Sequence, residues 1–220
     1  MKMSVETTMF KGDKMKTITK IIKIKGDWKE VVNDCRFTVN KSDLGKEPSD
    51  RFKKHILIAE HSPIRDIIFK WEWLHIPHWV TVHWVRHKWE KFVATQRSDR
   101  TGVDRDKSPQ DTPVNYDGKG NAQALINVAR FRLCNSAHPE TRAYMEDLKE
   151  SIHEFEPELS DVMQRNCIYR GGCPEFNPCP YWKNFCEKHK GENLLDIQTR
   201  YDLANKDFYE SRKKRCEKNG

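Results

Sequence analysis

The sequence predicts an α/β chain, with strand-like and helix-like segments interspersed and a small cysteine-rich segment near the C-terminus. Three observations carry this. Ile18, Ile22 and Ile24 alternate with lysines, and Phe69, Trp71 and Trp73 recur at every second residue, the period of a strand with one buried face. Apolar residues between Ala122 and Arg132, and between Glu140 and Phe155, follow helical spacing instead. Cys167, Cys173, Cys179 and Cys186 then sit among glycines and prolines that interrupt both periods.

In chain order, Met1 to Lys16 reads as a loose leader and Thr17 to Lys25 as an edge strand. Asp27 caps a helix through Trp28, Val31, Val32 and Cys35. Lys41 to Asp50 is a polar loop, and Arg51 to Glu60 a second helix carrying Phe52, Ile56 and Leu57. Ile64 to Leu74 is a strand. Pro77 suits a first helical turn, and Trp79, Val80, His83, Trp84 and His87 fall on one helical face. That places Arg86, His87 and Lys88 near a helix C-terminus, where the dipole favours cations. Thr101 to Lys119 reads as a loop because of Gly102, Pro109, Pro113 and Gly118. Two helices follow, then a short one from Pro157 to near Gln164, the cysteine-rich segment, and a charged helical tail after Leu194.

The 220 residues imply one main domain with an appendage, divided here as 17–160 and 161–220. The net charge of +7 favours anionic partners such as nucleotides, dinucleotide cofactors, nucleic acid or acidic lipid. The lysine-rich start lacks the apolar core of about 7–15 residues that a secretory signal needs. No run reaches the ~18 apolar residues of a membrane span. Seven cysteines without an export signal imply a reducing, cytoplasmic setting with free or metal-bound thiols. Neither G-x-G-x-x-G nor G-x-x-x-x-G-K-[ST] is present, so backbone cradles of those kinds are not the means of holding a phosphate and cationic side chains must do more of the work.

Those cations concentrate in Arg86-His87-Lys88 and in Thr95-Gln96-Arg97-Ser98-Asp99-Arg100. This pair of segments resembles the signature R-H-R-x-x-S-x-N-E-x-S-x-R of the flavin-dependent thymidylate synthases. Here the spacing is longer by two residues, Lys88 replaces the second Arg, and Thr95 and Gln96 replace Asn and Glu. Upstream, Glu60-His61-Ser62-Pro63-Ile64 is similar to the family's H-x-[ST]-P-x-E-H segment. Downstream, the stretch Asn121 to Asn127, then Arg130-Phe131-Arg132 and Cys134 to Arg142, looks like the family's third conserved region.

The resemblance implies a mixed central sheet flanked by helices, of the thymidylate-synthase-complementing type, with 17–160 as the flavin- and nucleotide-binding domain. It implies reductive methylation of dUMP to dTMP with FAD, NADPH and methylenetetrahydrofolate, in a homotetramer with active sites between subunits and a phage- or virus-type origin. It assigns His61, Ser62, Arg86, His87, Lys88, Arg130, Arg132 and Ser136 to the flavin cofactor. Gln96, Arg97, Ser98, Arg100 and Arg142 fall on the nucleotide, with Arg142 polarising the pyrimidine and Ser98 beside it as catalytic residues. Val114 stands where some members place a phosphate-binding Arg. The departures at Lys88, Gln96 and Val114 leave room for a different acceptor, through hydroxymethylation of a nucleotide or methylation of an RNA uridine.

The four clustered cysteines, spaced x5, x5 and x6, are candidate ligands for zinc or an iron–sulfur cluster, although the tight C-x2-C pair of zinc ribbons is missing. Cys35, Cys134 and Cys216 read as ordinary residues. A basic, zinc-bearing nucleic-acid-binding protein without catalytic activity is the reading from another class, and its affinity would fall steeply with salt.

Overall fold

The computed structural model describes residues 18–218; the expected leader, Met1 to Lys16, lies outside them. Four strands form one sheet: β1 (Thr19–Lys25), β2 (Ile68–Pro77), β3 (Glu90–Val93) and β4 (Pro113–Asn121), in the order β1-β2-β4-β3. The helices α1 (Trp28–Phe37) and α2 (Asp50–Ile58) precede β2, and α3 (His78–Val82) and α4 (Ser98–Thr101) flank β3. After β4 come α5 (Ala122–Arg132), α6 (Pro139–His153), α7 (Pro157–Val162), α8 (Asn166–Arg170), α9 (Tyr181–Lys188) and α10 (Ile197–Lys218). The expected α/β architecture, a central sheet flanked by helices, is the one built. All pairings among the described strands are antiparallel, so the sheet is not mixed in strand direction.

The inner face of the sheet explains why its residues are chosen. Phe69, Trp71, Trp73 and Ile76 of β2 are fully buried, and Val114 and Tyr116 of β4 lie beside them. In register, Trp71 faces Gly118 and Phe69 faces Gly120. A Cβ at Gly118 would lie 2.4 Å from the Trp71 ring. The two glycines are thus inward-facing strand positions left empty to seat indoles. The opposite face is polar, with Lys70 paired to Asp117 and Lys119 to Glu90.

Helices α5 and α6 cover the inner face, and one apolar cluster runs from Trp28 through the sheet to Tyr201 and Ala204 of α10. Two buried cations stitch the C-terminal third to this body. Lys149 on α6 donates to the Ser160 and Met163 carbonyls and to Asn205 Oδ1. Arg200 on α10 donates to the carbonyls of Ile168, Tyr169, Leu194 and Leu195. No helix among the described residues is long and apolar enough to cross a membrane.

Several expected elements hold closely: β1 is an edge strand, Asp27 caps α1 by accepting from the Lys29 and Glu30 amides, and α5 spans the expected residues. Two do not. The helix beginning near Pro77 stops at Val82 rather than running past His87. Its continuation is a series of turns bonded i to i−3, with His83 on Val80, Trp84 on Thr81 and His87 on Trp84. The β-branched run Val80-Thr81-Val82 and Val85 disfavours further α-helix, while the turns let Trp84 reach full burial. The stretch expected as a loop contains β4, because Gly118 and Gly120 act as seats for side chains rather than as chain breakers.

Gly118→Ala is therefore expected to destabilise the fold by about 2 kcal/mol through overpacking against Trp71. Gly120→Ala, whose Cβ would meet that of Trp89 at 3.3 Å, should cost less. Urea denaturation of the two variants beside the parent checks both the size and the order.

Candidate functional site: a cationic, thiol-lined cleft

Three separated stretches converge on a cleft of about 450 Å³. The turns after α3 supply Arg86 and His87. The C-terminal end of α5 and the loop beyond it supply Arg130, Arg132, Cys134, Asn135 and Ser136. The third wall is Arg165 and Cys167 at the start of α8, then Cys173 and Cys179, with Tyr181 and Trp182 of α9.

Arg132 is the centre of this arrangement and is only 8% exposed. Its Nε donates to His87 Nε2 at 2.7 Å, its Nη2 to the His83 carbonyl, and its guanidinium lies 5.7 Å from the Trp84 ring centroid. An arginine is a donor only, so His87 must accept with a bare Nε2 and carry its proton on Nδ1. Burial, and then the charges of Arg132, Arg86 and Lys91, hold the His87 pKa down to about 4. Burial and Arg86 also lower the Arg132 pKa.

The other cations are held differently. Arg130 pairs with Glu60, donates to Asn127 Oδ1 at 3.1 Å and lies 3.6 Å over the Tyr169 ring. Glu60 reaches it from a left-handed backbone position, φ 54°. Arg165 lies 4.2 Å over Tyr181 and 3.8 Å from Glu146. Arg86 is exposed and has no hydrogen bond or ion pair among the described residues. Arg86 and Arg132 thus bring positive charge to the cleft that no carboxylate pairs, which suits an anionic ligand.

Of the residues expected to hold the flavin, Arg86, His87, Arg130, Arg132 and Ser136 meet at this cleft. Lys88 faces an adjoining groove. His61 and Ser62 are exposed at the start of a short 3-10 turn, off the cleft wall. Among the expected nucleotide contacts, Gln96 lines a second cavity of about 610 Å³ with His78, Trp79, His83 and Gln110. His83 touches both places. Its carbonyl accepts from Arg132, while its ring lines the second cavity and its Nδ1 lies 2.6 Å from Thr141 Oγ. Arg97 is paired to Asp99, Ser98 Oγ accepts from the Arg105 amide, and Arg100 is exposed. All three lie on or beside α4, away from the cleft. Arg142 donates to the Asn135 carbonyl at the cleft edge and lies 3.7 Å from Glu146. Val114 is buried in the sheet, so it offers nothing to a phosphate.

The four-cysteine metal site does not assemble. Cys167, Cys173 and Cys179 line the cleft, but Cys186 on α9 does not. Among the described residues no group of three or more His, Cys, Asp or Glu side chains is placed to hold a metal ion. Burial pushes the Cys167 thiol up to about 12, so it stays protonated. The thiol that joins the cleft instead is Cys134, read from the sequence as ordinary. Arg165, Tyr181 and Trp182 were also missed; no motif marks them, and only the chain's return through α8 and α9 brings them in.

The fold and cleft together define an α/β protein whose described strands form one antiparallel sheet, with an anion-receptive cavity beside it. It is similar in fold to the UMP/dUMP methylase PolB from Streptomyces cacaoi, in a crystal structure bound with 5-Br dUMP. The TM-score is 0.53 at 13% identity, over 66% of this chain and 93% of that one. No protein-family model matches the chain, and no curated protein matches it.

The Arg132–His87 contact has a pH signature. With a folded pKa near 4 against an ordinary value of about 6.5, the unfolded chain binds the proton first as pH falls. The stabilisation from neutral His87 is therefore complete above about pH 6.5 and is lost as pH falls towards 4. His87→Gln keeps an acceptor and removes the titration. Subtracting its urea-denaturation stability from that of the parent should leave a difference that shrinks as pH falls from 6.5 to 4; a flat difference would show that His87 is not held neutral.

Proposed function

We propose that the chain methylates a uracil nucleotide at carbon 5 with FAD, NADPH and methylenetetrahydrofolate. The observation that carries this is the meeting of Arg86, His87, Arg130, Arg132 and Ser136, from separate stretches, at one cleft. The fold shared with a UMP/dUMP methylase supports the same reading. The residues present suit a planar, anionic cofactor: unpaired Arg86 and Arg132 for phosphate, Tyr181 and Trp182 for a ring face, Asn135 and Ser136 for polar edges. When bound, reduced flavin supplies the hydride and folate the one-carbon unit.

The chain's own work is then positional and electrostatic. Arg132 and Arg86 hold negative charge in the cleft, and neutral His87 keeps Arg132 in place. Gln96 and His83, lining the second cavity, take the polar edge of the pyrimidine, with Trp79 as the apolar wall. Arg142, steadied by the Asn135 carbonyl and Glu146, favours negative charge on the ring and so activates carbon 5. Ser98 and Arg100 stand apart from the cleft of their own chain, which accords with a site completed by a second copy in a homotetramer. Gln96 in place of an acid, and a buried Val114, favour a different pyrimidine acceptor as the second reading.

Added FAD should give the purified protein a bound-flavin absorbance spectrum, and Arg132→Gln should weaken that binding at least tenfold. With FAD, NADPH and methylenetetrahydrofolate, tritium should be released from 5-tritiated dUMP. Release only from dCMP or from RNA uridine would move the assignment to the second reading. Failure to take up flavin would overturn both.

A further inference from the structure

Beside the cleft, and sharing Arg86, His87 and Phe131 with it, lies a groove of about 350 Å³. Its cations are Arg65, from the 3-10 turn before β2, together with Arg86 and Lys88. All three are exposed, and none has a hydrogen bond or ion pair among the described residues.

The neutral side chains of the groove are polarised by their neighbours. Gln123 Nε2 commits its two hydrogens to Glu60 Oε2, at 2.5 Å, and Asn127 Oδ1, at 3.4 Å. That leaves its carbonyl oxygen to accept. Asn127 Oδ1 is occupied by Gln123 and by Arg130 Nη1, which leaves the Asn127 amide hydrogens to donate. Asn121, whose Oδ1 accepts from the Ala124 amide, likewise offers its amide hydrogens. The groove therefore presents three cations and two amide donors, which attract anionic oxygen, together with one acceptor that repels it. A bare anion leaves that acceptor unmatched. A ligand carrying a hydroxyl near a phosphate satisfies both.

We propose that this groove binds a phosphorylated ribose, as part of a nucleotide separate from whatever fills the main cleft. The phosphate meets Arg65, Lys88 and Arg86, a ribose hydroxyl donates to Gln123 Oε1, and Asn127 donates to a sugar or phosphate oxygen. Arg86 is shared with the cleft, so the assignment rests on Arg65, Gln123 and Asn127, which take no part in lining it.

The test is calorimetric titration of the full chain with ribose 5-phosphate, inorganic pyrophosphate and triglutamate. Ribose 5-phosphate should bind more tightly than triglutamate, and Arg65→Gln should weaken it at least tenfold. Arg65→Lys should restore part of the loss. Flavin uptake by Arg65→Gln, read by absorbance, should match the parent, which separates this site from the cleft. Unchanged ribose 5-phosphate affinity in Arg65→Gln would overturn the proposal. So would tighter binding of pyrophosphate or triglutamate, which would mark the groove as a general polyanion surface.

Discussion

The cleft depends on one contact: a nearly buried arginine donating to an imidazole that is neutral. Arg132 has no carboxylate partner, and an unpaired buried charge is costly. Its guanidinium is instead satisfied by His87 Nε2, the His83 carbonyl and the Trp84 ring. The first of these would fail if His87 were protonated, because Nε2 could no longer accept and two cations would face each other. Burial of His87 is thus part of the same device as burial of Arg132, and the two joined turns fix where Arg86 emerges.

That device rests in turn on the sheet. Gly118 leaves room for Trp71, whose ring meets Trp89 edge-on at 4.8 Å. Trp89 stacks with Trp84 at 5.7 Å, and Trp84 carries Arg132. A column of indoles therefore links the strand β4 to the cleft floor. Within the column Trp89 is tied by its indole N–H to the Tyr116 hydroxyl, and the neighbouring Trp73 by its own to Thr19. The short β3, which nothing in the local pattern marked, begins right after Trp89 and pairs with β4, holding the far end of the column in register.

Much of this was legible in the sequence, for identifiable reasons. The helices α1, α5 and α6 could be read because capping residues and 3.6-residue spacing are local signals. The strand β4 could not, since its inward positions are glycines whose meaning depends on indoles from β2 and the turn before β3. The cleft was half legible. Arg86, His87, Arg130, Arg132 and Ser136 lie in two short stretches that motif spacing can register. Arg165, Tyr181 and Trp182 reach it only through tertiary folding of the last third of the chain, held there by Arg200 and Lys149. The cysteines show the limit of spacing arguments. An even spread of four thiols through a Gly/Pro-rich segment implied one cluster, yet α9 turns Cys186 away and α5 delivers Cys134 from more than thirty positions earlier.

The distribution of carboxylates completes the electrostatic argument. Three acidic side chains lie at or near the cleft: Glu175 lines it, exposed and without an ion pair among the described residues, and the other two are already engaged. Glu60 serves Arg130 and Gln123, and Glu146 is shared by Arg142, Arg165, Arg212 and Arg215. Neither can turn towards Arg86 without abandoning a cation of its own. The positive surplus along Arg86 and Arg132 is therefore built into the packing rather than left over from composition. It extends through Lys88 and Arg65 into the neighbouring groove, so the ridge formed by Arg86 and Phe131 has cationic surface on both sides. An anion entering either side meets donors that are already in place, which is the arrangement in which binding costs the protein least reorganisation.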